Sequence, residues 1–477
     1  MQNLKLTELL LHLSATEFKR LGDFVRSPFH NKNTSAVLLY DLFFRVSNEK
    51  TLPGLKREDI HRELFGSKKY NDPKIRSLLS EFKKLVEKFL TLIELENQPG
   101  HLRNYLIKGF CERNMLKNFN SAAIEISNDL KSEFNKNSDY YFNRLSFEHI
   151  LAEQKGTNIE VNLDAQYFSL SDSIDYFFFA TKLELANSLL SRKYHVLGNL
   201  KVNIKFIEEI IFFIKENISD IKRDNPIIYS EYLILMMMTS EGSDIYFHEL
   251  QVFVLKNIRK YDIYELEQVY YPLINYGFNK VALGEHEYLF SIFKIYKTFE
   301  RKGFYSEKKV FQDIDFISII IIGLRLKKTA WVEMFYDSYK EKLKEEFKED
   351  TTNLAKAMIS YNKKHFDTAI GLLNKVNYSN SYYYLKSKET LIQIYYEQEQ
   401  YETLQSLIDA TKHYLKRRQG VLSIHYERYL KFLKCVNALL KARLKDKSEA
   451  GILLKEINAG NNSIAREWLL EKIKELS

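Results

Sequence analysis

Glycine and proline are scarce in this sequence. Its 477 residues include only 16 Gly and 6 Pro, where average usage gives roughly 33 and roughly 24. Folds rich in β-structure and nucleotide-binding folds of the Rossmann type need these residues in their many turns, whereas long helices joined by short polar links do not. No proline follows Pro272, so the rest of the chain lacks the strongest helix breaker. The composition therefore predicts an all-α protein.

Cysteine and long apolar runs are also rare. Cys111 and Cys435 are too few for a disulfide framework or a thiolate metal site, and their amphipathic surroundings predict small buried side chains. The longest apolar runs, around 316–324 and 233–238, fall short of the ~20 residues of a membrane helix. Glu8 interrupts the apolar stretch that a signal peptide would need. We therefore expect a soluble, cytoplasmic protein with no membrane insertion.

Known catalytic signatures are missing as well. The sequence has no Gly-x-x-x-x-Gly-Lys phosphate loop, no Gly-x-Gly-x-x-Gly motif after a strand and no His-Glu-x-x-His motif. His248 and Glu249 come nearest to the last of these, but the second histidine four residues on is lacking. We therefore expect a non-enzymatic protein with no catalytic residues, no cofactor and no metal site.

Residues 1–98 are predicted to form an N-terminal helical module. Ser14 is placed to cap a first helix, because its hydroxyl can accept from the backbone of the first turn. Further helices are expected at about 35–47 and 57–65, and the latter should end at Gly66.

The clearest helix of the sequence covers 72–97. Asp72 is the expected N-cap, and Pro73 is expected at the first helical position, where its missing N–H costs nothing. Apolar residues then recur at steps of three and four on one face: Ile75, Leu78, Leu79, Phe82, Leu85, Val86, Phe89 and Leu90. Pro99 and Gly100 follow and predict a domain boundary.

Helical segments succeed one another from residue 102 onward, with short polar links between them. We expect degenerate helical repeats over 102–300 and clearer ones over 306–477. A spacing of 35 residues relates three sets of positions in the latter: Trp331, Phe366 and Tyr401; Met334, Ala369 and Leu404; and Ile322, Ala357 and Ile392. Such self-similarity is typical of proteins built from stacked helix pairs.

The best single unit runs from Leu354 to Leu373 and resembles a tetratricopeptide repeat, a family with a period of about 34 residues. Small residues at Ala357 and Ala369 let two helices approach, and Phe366 fills the turn. The resemblance covers 310–415 and is degenerate, since polar residues stand at 338 and 356 where apolar ones are expected. It implies an α-solenoid of antiparallel helix pairs.

The whole chain also resembles a group of uncharacterised bacterial proteins with this layout. The resemblance includes the segment 27–32 and the run Tyr70, Asn71 and Asp72. It implies no function. We read the chain as about eight helix pairs stacked behind the N-terminal module, with a continuous core and one concave wall.

A final helix from Ser463 to Leu476 is predicted to cap the stack. Terminal repeats of such stacks carry a polar outer face. Six charged residues are expected on the outer side of this helix: Arg466, Glu467, Glu471, Lys472, Lys474 and Glu475.

A basic face is predicted near the C-terminus. Residues 412–447 hold eleven Lys or Arg against two acids, which gives this segment a net charge of +9. The net charge of the whole chain is +8, so the rest of the chain is close to neutral. On a helix from about 421 to 445, lysines cluster opposite the apolar stripe. The candidate face for an anionic partner consists of Lys416, Arg417, Arg418, Lys431, Lys434, Lys441 and Lys445. The competing interpretation is a solvated surface on a Lys-rich protein.

The helices at 57–65 and 72–97 are also compatible with a helix-turn-helix that binds nucleic acid. Five polar side chains are expected to face outward near the start of the second helix: Lys74, Arg76, Ser77, Ser80 and Lys83. The second helix is long for such a motif, no β-wing follows it, and the module is only weakly basic. A structural helical module is the alternative.

A remote alternative is a ribonuclease resembling the HEPN fold. Arg418 and His425 meet the loose Arg-x-His spacing of those helical enzymes, which place the pair on one continuous helix face. Gly420 is expected to break the helix between them.

The sequence as a whole favours a scaffold or adaptor that holds a protein or peptide partner against the concave wall. A nucleic-acid-associated regulator, using the N-terminal module or the C-terminal basic face, is the second hypothesis. The sequence leaves the partner and the oligomeric state open.

Overall fold

The computed structural model describes residues 4–48, 55–66, 69–156, 164–192, 203–308, 310–377, 381–418, 423–444, 457 and 464–476. Over these ranges the regular elements are all helical, and the sole β-contact is an isolated bridge between Phe311 and Leu343. The all-α prediction is therefore confirmed for the described residues.

The chain divides into two compact units, Met1–Ser132 with Asp139–Ile174, and Glu133–Ser138 with Asp175–Ser477. We call them unit 1 and unit 2. The helices that begin in unit 1 are α1 Leu4–Leu11, α2 Ala15–Arg26, α3 Thr34–Asn48, α4 Arg57–Phe65, α5 Asp72–Glu96, α6 Pro99–Glu112, α7 Leu116–Ser132 and α9 Asp164–Arg192. Helix α8, Ser138–Gly156, also belongs to unit 1 except for its first residue. The segment limits at 98, 102, 300 and 306 remain a prediction.

The helices of unit 2 follow the second half of α9. They are α10 Ile207–Glu216, α11 Ile218–Asp224, α12 Pro226–Thr239, α13 Ser243–Asn257, α14 Ile263–Ala282, α15 Tyr288–Arg301, α16 Phe304–Glu307, α17 Asp313–Arg325, α18 Thr329–Tyr339, α19 Glu345–Asn362, α20 Phe366–Leu373, α21 Ser381–Glu397, α22 Tyr401–Arg417, α23 Ser423–Leu444 and α24 Arg466–Lys474. A short 3-10 turn, Lys340–Lys342, follows α18.

Unit 1 is organised around α5, which contacts each of α1 to α4. Its buried face holds the expected apolar residues, from Ile75 to Phe89. Ser14 caps α2 as predicted, because its Oγ accepts from the Glu17 N–H while the Glu17 carboxylate accepts from the Ser14 N–H. Gly66 ends α4 with a φ of 65°.

The predicted N-cap of α5 is wrong by one residue. Asn71 is the N-cap, and its Oδ1 accepts from the Lys74 N–H at 3.0 Å. Asp72 lies inside the first turn, where its carboxylate accepts from the Tyr70 hydroxyl at 2.7 Å and pairs with Arg76 at 2.6 Å. Asn and Asp are nearly equal as caps, so two adjacent candidates cannot be ranked from composition alone.

Unit 2 is a succession of neighbouring helices. Contacts join α12 to α13, α14 to α15, α17 to α18, α19 to α20 and α21 to α22, and they also join α17 to α19 and α19 to α21. Gly323 on α17 allows α18 to approach, because a Cβ at this position would lie 2.3 Å from Cγ2 of Val332. Close packing therefore depends on a glycine here.

One turn recurs between paired helices. Lys327, Lys364 and Glu399 have φ values of 56°, 63° and 58°. In the second turn the Lys364 N–H donates to the Tyr361 carbonyl and the next N–H, that of His365, donates to the Ser360 carbonyl, both at 2.9 Å. This pair of hydrogen bonds defines the Schellman motif, in which a helix ends at one left-handed residue.

The recurring turn corrects the predicted repeat register. Aligned on their left-handed residues, Thr329, Phe366 and Tyr401 each lie two positions later, so Trp331 is not equivalent to the other two aromatics. The predicted equivalence of Met334 with Ala369 and Leu404 is accordingly wrong, since Met334 is 63% exposed. The position that matches is Val332, which is fully buried as they are.

The prediction for the last helix is also wrong in part. Lys472 is buried rather than on an outer face, with its side chain 8% exposed, and it pairs with Glu475 at 2.7 Å and Glu471 at 3.4 Å. Leu469 and Ile473 of α24 join a core with α22 and α23.

Of the two cysteines, both of them free, Cys435 is buried as predicted while Cys111 is only half-buried. No helix within the described ranges has the length and apolar character needed to cross a membrane.

Candidate binding cavity in unit 2

A cavity of about 1000 Å³ lies within unit 2. Every second helix from α17 to α23 contributes one face to it. Residues from four helices, the C-terminal segment and two turns line the cavity. They include Ser318, Ile321 and Arg325 of α17; Met358 and Tyr361 of α19; Lys386, Glu389, Gln393 and Glu397 of α21; Arg428 and Tyr429 of α23; Arg466, Glu467, Trp468 and Glu471 of the C-terminal segment; and His286 and Lys364 of the turns.

The spacing of these residues explains why they meet. Ser318, Ile321 and Arg325 are three and four residues apart on α17, and Lys386, Glu389, Gln393 and Glu397 follow the same rule on α21. Residues at this spacing lie on one face of a helix. Each helix thus turns one half-polar stripe toward the cavity and its apolar stripe toward the core.

Glu397 is the most heavily bonded carboxylate of the wall. It accepts from the Tyr361 hydroxyl at 2.6 Å and from the Trp468 indole Nε1 at 3.0 Å, and it forms an ion pair with Lys364. Burial opposes ionisation, yet the hydrogen bonds from Lys364, Tyr361 and Trp468 hold the pKa of Glu397 below its usual value of 4.5. Glu397 therefore stays charged and ties three elements of the wall together.

A second group of charges lies along the same wall. The Arg325 guanidinium donates to both carboxylate oxygens of Glu467, at 2.7 and 3.0 Å. His286 lies between two neighbours, with Nε2 at 3.1 Å from Arg466 and Nδ1 at 3.3 Å from Glu467. Burial is the largest single effect and raises the pKa of Glu467, but the hydrogen bond and charge of Arg325, with the charges of His286 and Arg466, together lower this pKa below its usual value.

The wall formed by α21 and α23 combines a paired and an unpaired cation. Lys386 pairs with Glu389 at 2.9 Å, and both side chains are mostly buried. The Nε of Arg428 is buried and has no hydrogen-bond partner among the described residues. Buried donors are nearly always satisfied, so Arg428 offers a donor to an acceptor that enters the cavity.

The lining of the cavity combines charged and aromatic side chains. Its charges are mostly held in ion pairs, and its aromatic rings include Tyr361, Tyr429 and Trp468. Rings with a polar edge, fixed charges and a spare guanidinium are typical of surfaces that recognise peptide segments. Across the described ranges, no group of three or more His, Cys, Asp or Glu is placed to hold a metal ion.

The described residues of the predicted basic face are divided between α22 and α23. Lys416 and Arg417 end α22, Arg418 caps it, and all three are exposed. On α23, Lys434 and Lys441 are exposed and Lys431 is half-buried. Lys445 lies outside the described residues. The function of this face stays a prediction.

The predicted nucleic-acid-binding side chains of α5 are partly engaged within unit 1. Arg76 pairs with Asp72 at 2.6 Å, Lys83 pairs with Glu87 at 2.7 Å, and Lys74 lies over the Phe65 ring at 3.9 Å. Ser77 and Ser80 are exposed. Ion pairs of this kind weaken the field that such a face would offer to phosphates.

Arg418 and His425 do not lie on the same helix. Arg418 follows the end of α22 and its Nη1 donates to the Ser381 hydroxyl at 3.4 Å. His425 lies in α23, which begins at Ser423, and Gly420 lies outside the described residues. The pair is thus not on one continuous helix, as ribonucleases of the HEPN type would require.

Sequence reasoning missed the residues that build the cavity. Glu397, Arg325 and Glu389 look like members of an ordinary Lys/Glu-rich surface. One signal was present on α21, where polar residues at 386, 389, 393 and 397 recur on one face of an otherwise apolar helix. Such a stripe predicts a polar wall when the helix is buried on its other sides.

No family model, curated protein or solved structure matches this chain.

Proposed function

We propose that this protein is a non-enzymatic scaffold of the bacterial cytoplasm, and that its cavity in unit 2 binds a segment of a partner protein. In this proposal unit 2 is an α-solenoid of antiparallel, tetratricopeptide-like helix pairs, and the cavity belongs to its concave wall. The protein needs no cofactor for this role. The single observation that carries the proposal is the cavity itself, which is lined by one face from each of the alternate helices α17, α19, α21 and α23.

The repeated turn supports the proposed architecture. Left-handed residues at Lys327, Lys364 and Glu399 close three helices, and each leads into the next helix within two residues. Contacts from α17 to α19 and from α19 to α21 place equivalent helices side by side. Repeats stacked in this way expose a continuous surface made of one stripe from each repeat.

The size of the cavity supports a peptide-like occupant. A helix 10–12 Å across fills about 140 Å³ per residue, so a cavity of about 1000 Å³ equals about two helical turns. The wall offers aromatic rings and ion pairs, together with the buried Nε of Arg428. Free thiols at Cys111 and Cys435 accord with a cytoplasmic site of action.

Two methionines provide a matched test. Met358 is half-buried and lines the cavity, whereas Met334 is 63% exposed and lies outside its lining. The tagged wild type, Met358→Arg and Met334→Arg would each be captured from the native host, and co-purifying proteins quantified by mass spectrometry. We expect Met358→Arg to retain about a tenth of a stoichiometric partner or less, which corresponds to a loss of about 1.4 kcal/mol in binding.

Met334→Arg controls for the added charge and should retain the partner. Both substitutions allow the arginine head to reach water, and far-UV circular dichroism verifies that the helices remain. Equal capture by the wild type and Met358→Arg would show that the cavity is not the binding surface.

A second candidate is a nucleic-acid-associated regulator that uses the basic face. It is favoured by one observation: Lys416, Arg417, Lys434 and Lys441 are exposed, and none of them has an acidic partner among the described residues. Exposed cations without counter-charges are available to a phosphate backbone.

Heparin chromatography tests this candidate. Lys434→Gln with Lys441→Gln should lower the salt concentration of elution. The matched control, Lys340→Gln with Lys363→Gln, removes the same charge from lysines that pair with acids. If the two double variants elute alike, the basic face has no special affinity for polyanions.

A further inference from the structure

The cavity has one wall that comes from far along the chain. Arg466, Glu467 and Trp468 lie at the start of α24, yet their partners precede them by 71 to 180 positions. Arg325 holds Glu467, Glu397 holds the Trp468 indole N–H, and His286 contacts Arg466. We call residues 464–468 the strap.

The strap faces the cavity with polar groups, and Ile464, Ala465 and Trp468 also pack, partly buried, against the core cluster. The side chains that bury α24 in unit 2 are Leu469 and Ile473, which pack with α22 and α23. The side chains that line the cavity, those of Arg466, Glu467 and Trp468, come before these two residues in the sequence. The rings of Trp468 and Tyr396 meet edge to face, with their centroids 5.3 Å apart. The strap contacts can therefore be broken while the apolar anchor of α24 remains.

The backbone at the start of the strap is held in a costly conformation. Ala465 has a φ of 50°, in the left-handed region that residues with a Cβ avoid. Such a conformation persists when surrounding contacts over-determine it. Here the following residues supply those contacts, since the hydrogen bonds of Glu467 and Trp468 fix the direction in which the chain leaves Ala465.

We propose that the strap is a built-in occupant that closes one side of the cavity, and that a partner segment gains entry by displacing it. This proposal rests on the binding function proposed for the cavity. With the strap in place the cavity equals about two helical turns, so a longer helix or an extended segment enters only where the strap moves aside. The strap is held by the partly exposed, two-pronged Arg325–Glu467 pair, by the hydrogen bond from Trp468 to Glu397 and by partly buried apolar contacts. A partner segment that supplies the same groups to the wall compensates for their loss.

The chemistry of the strap also indicates what competes with it. The wall binds a carboxylate through the two-pronged contact of Arg325 and an adjacent indole through Glu397. A partner segment with an acidic residue directly before an aromatic residue fits the same two positions. Arg–carboxylate pairs with two parallel bonds add geometric selectivity to charge attraction.

Accessibility of a reporter thiol tests the strap without knowledge of any partner. Ile321 lines the cavity one turn before Arg325 on α17, and Ile314 on the same helix is 55% exposed and outside the lining. Ile321→Cys and Ile314→Cys would be labelled with a maleimide in the full chain, with the background of the native cysteines subtracted. Each reporter is then combined with Glu467→Arg, which places a second cation next to Arg325, so that the two repel each other.

We expect Glu467→Arg to raise the labelling rate at position 321 about fivefold and to leave position 314 unchanged. Adding Arg325→Glu exchanges the charges and should restore the slow rate. An unchanged rate at 321 in Glu467→Arg overturns the proposal. So does a rise at both positions, since that indicates general loosening.

Quenching of Trp468 provides the second measurement. In a chain with Trp331→Phe, Trp468 is the only tryptophan, since the sequence holds two. Acrylamide quenching should increase in Glu467→Gln, a milder variant for the case in which Glu467→Arg fails to fold. If quenching increases while labelling at position 321 does not, the strap moves but does not close the cavity, and the proposal fails.

These outcomes are distinct from those of the partner test. If the Met358→Arg variant keeps its partner, the proposed binding function is wrong, whatever the labelling rate at position 321. A chain in which Met358→Arg loses its partner, but thiol access at 321 is insensitive to Glu467, keeps the binding function and refutes the strap.

Discussion

Glu231 provides the sharpest test of how unit 2 is packed. This carboxylate lies on α12, where every residue from Pro226 to Met237 is buried. Its Oε2 accepts from the Asn187 Nδ2 at 2.6 Å, which ties α9 to α12. Burial raises the pKa of Glu231 to about 8, against a usual value of 4.5, despite that hydrogen bond. The structure therefore holds Glu231 protonated at neutral pH.

The stability effect follows from the proton balance. Between pH 4.5 and about 8 the folded chain keeps a proton on Glu231 that the unfolded chain has released. The unfolded state then binds fewer protons, so the free energy of unfolding falls as pH rises, by about 1.4 kcal/mol per pH unit. At pH 7, which is 2.5 units above 4.5, the accumulated loss is about 3 kcal/mol.

Glu231→Gln removes this loss. Glutamine keeps an acceptor for Asn187 and has no charge to bury, so the variant should be about 3 kcal/mol more stable than the wild type at pH 7 and nearly equal at pH 4.5. Urea unfolding followed by tryptophan fluorescence is the assay, because Trp331 and Trp468 both lie in unit 2.

Glu241→Gln is the control, since Glu241 is exposed just after the same helix. It should leave the pH dependence of the wild type intact. A wild-type free energy of unfolding that is flat from pH 5 to pH 8, or a Glu231→Gln variant less stable than the wild type at pH 7, would refute the reasoning about α12.

Three further outcomes are expected. Lys327→Gly should raise the free energy of unfolding of unit 2 by about 0.5–1 kcal/mol in urea titrations, because glycine adopts the φ of 56° at this turn without strain. Val332→Ala should lower it by about 2 kcal/mol, while Met334→Ala changes it by less than about 0.5 kcal/mol; the reverse order would contradict the repeat register. Acidification should release the strap, because the pKa of Glu397 is lowered, so its bonds are present above pH 4.5 and lost as pH falls below it. Acrylamide quenching of Trp468 should then increase below pH 4.5 and not above it.

Much of the helical pattern could be predicted from the sequence. The apolar stripe of α5, the Ser14 cap and the stop at Gly66 all depend on local signals within a few residues. Such signals act through the backbone of one helix and survive in any tertiary context. The scarcity of proline likewise predicted a helical C-terminal half.

The repeat register could not be predicted from aromatic spacing. The left-handed residues Lys327 and Lys364 are 37 positions apart, while Lys364 and Glu399 are 35 apart. The 3-10 turn at 340–342 lies within the longer interval, between Lys327 and Lys364. None of the three turn residues is glycine, so the usual sequence signal for a Schellman turn was absent.

The cavity could not be predicted because its charges look solvated in sequence. Glu389 and Glu397 are of a residue type that is common on surfaces, yet their side chains are 8% and 9% exposed. Their burial depends on partners from other helices, such as Lys364 and Trp468 for Glu397. Long-range pairing of this kind leaves no periodic trace in a single sequence.

Site-specific photo-crosslinking distinguishes a partner bound in the cavity of unit 2 from one bound elsewhere. A photoreactive amino acid would replace Met358 in one chain and Met334 in another, each expressed in the native host and irradiated in living cells. We expect one crosslinked partner at position 358 that is absent at position 334. The same crosslinks at both positions, or a partner at position 334 alone, would contradict binding in the cavity.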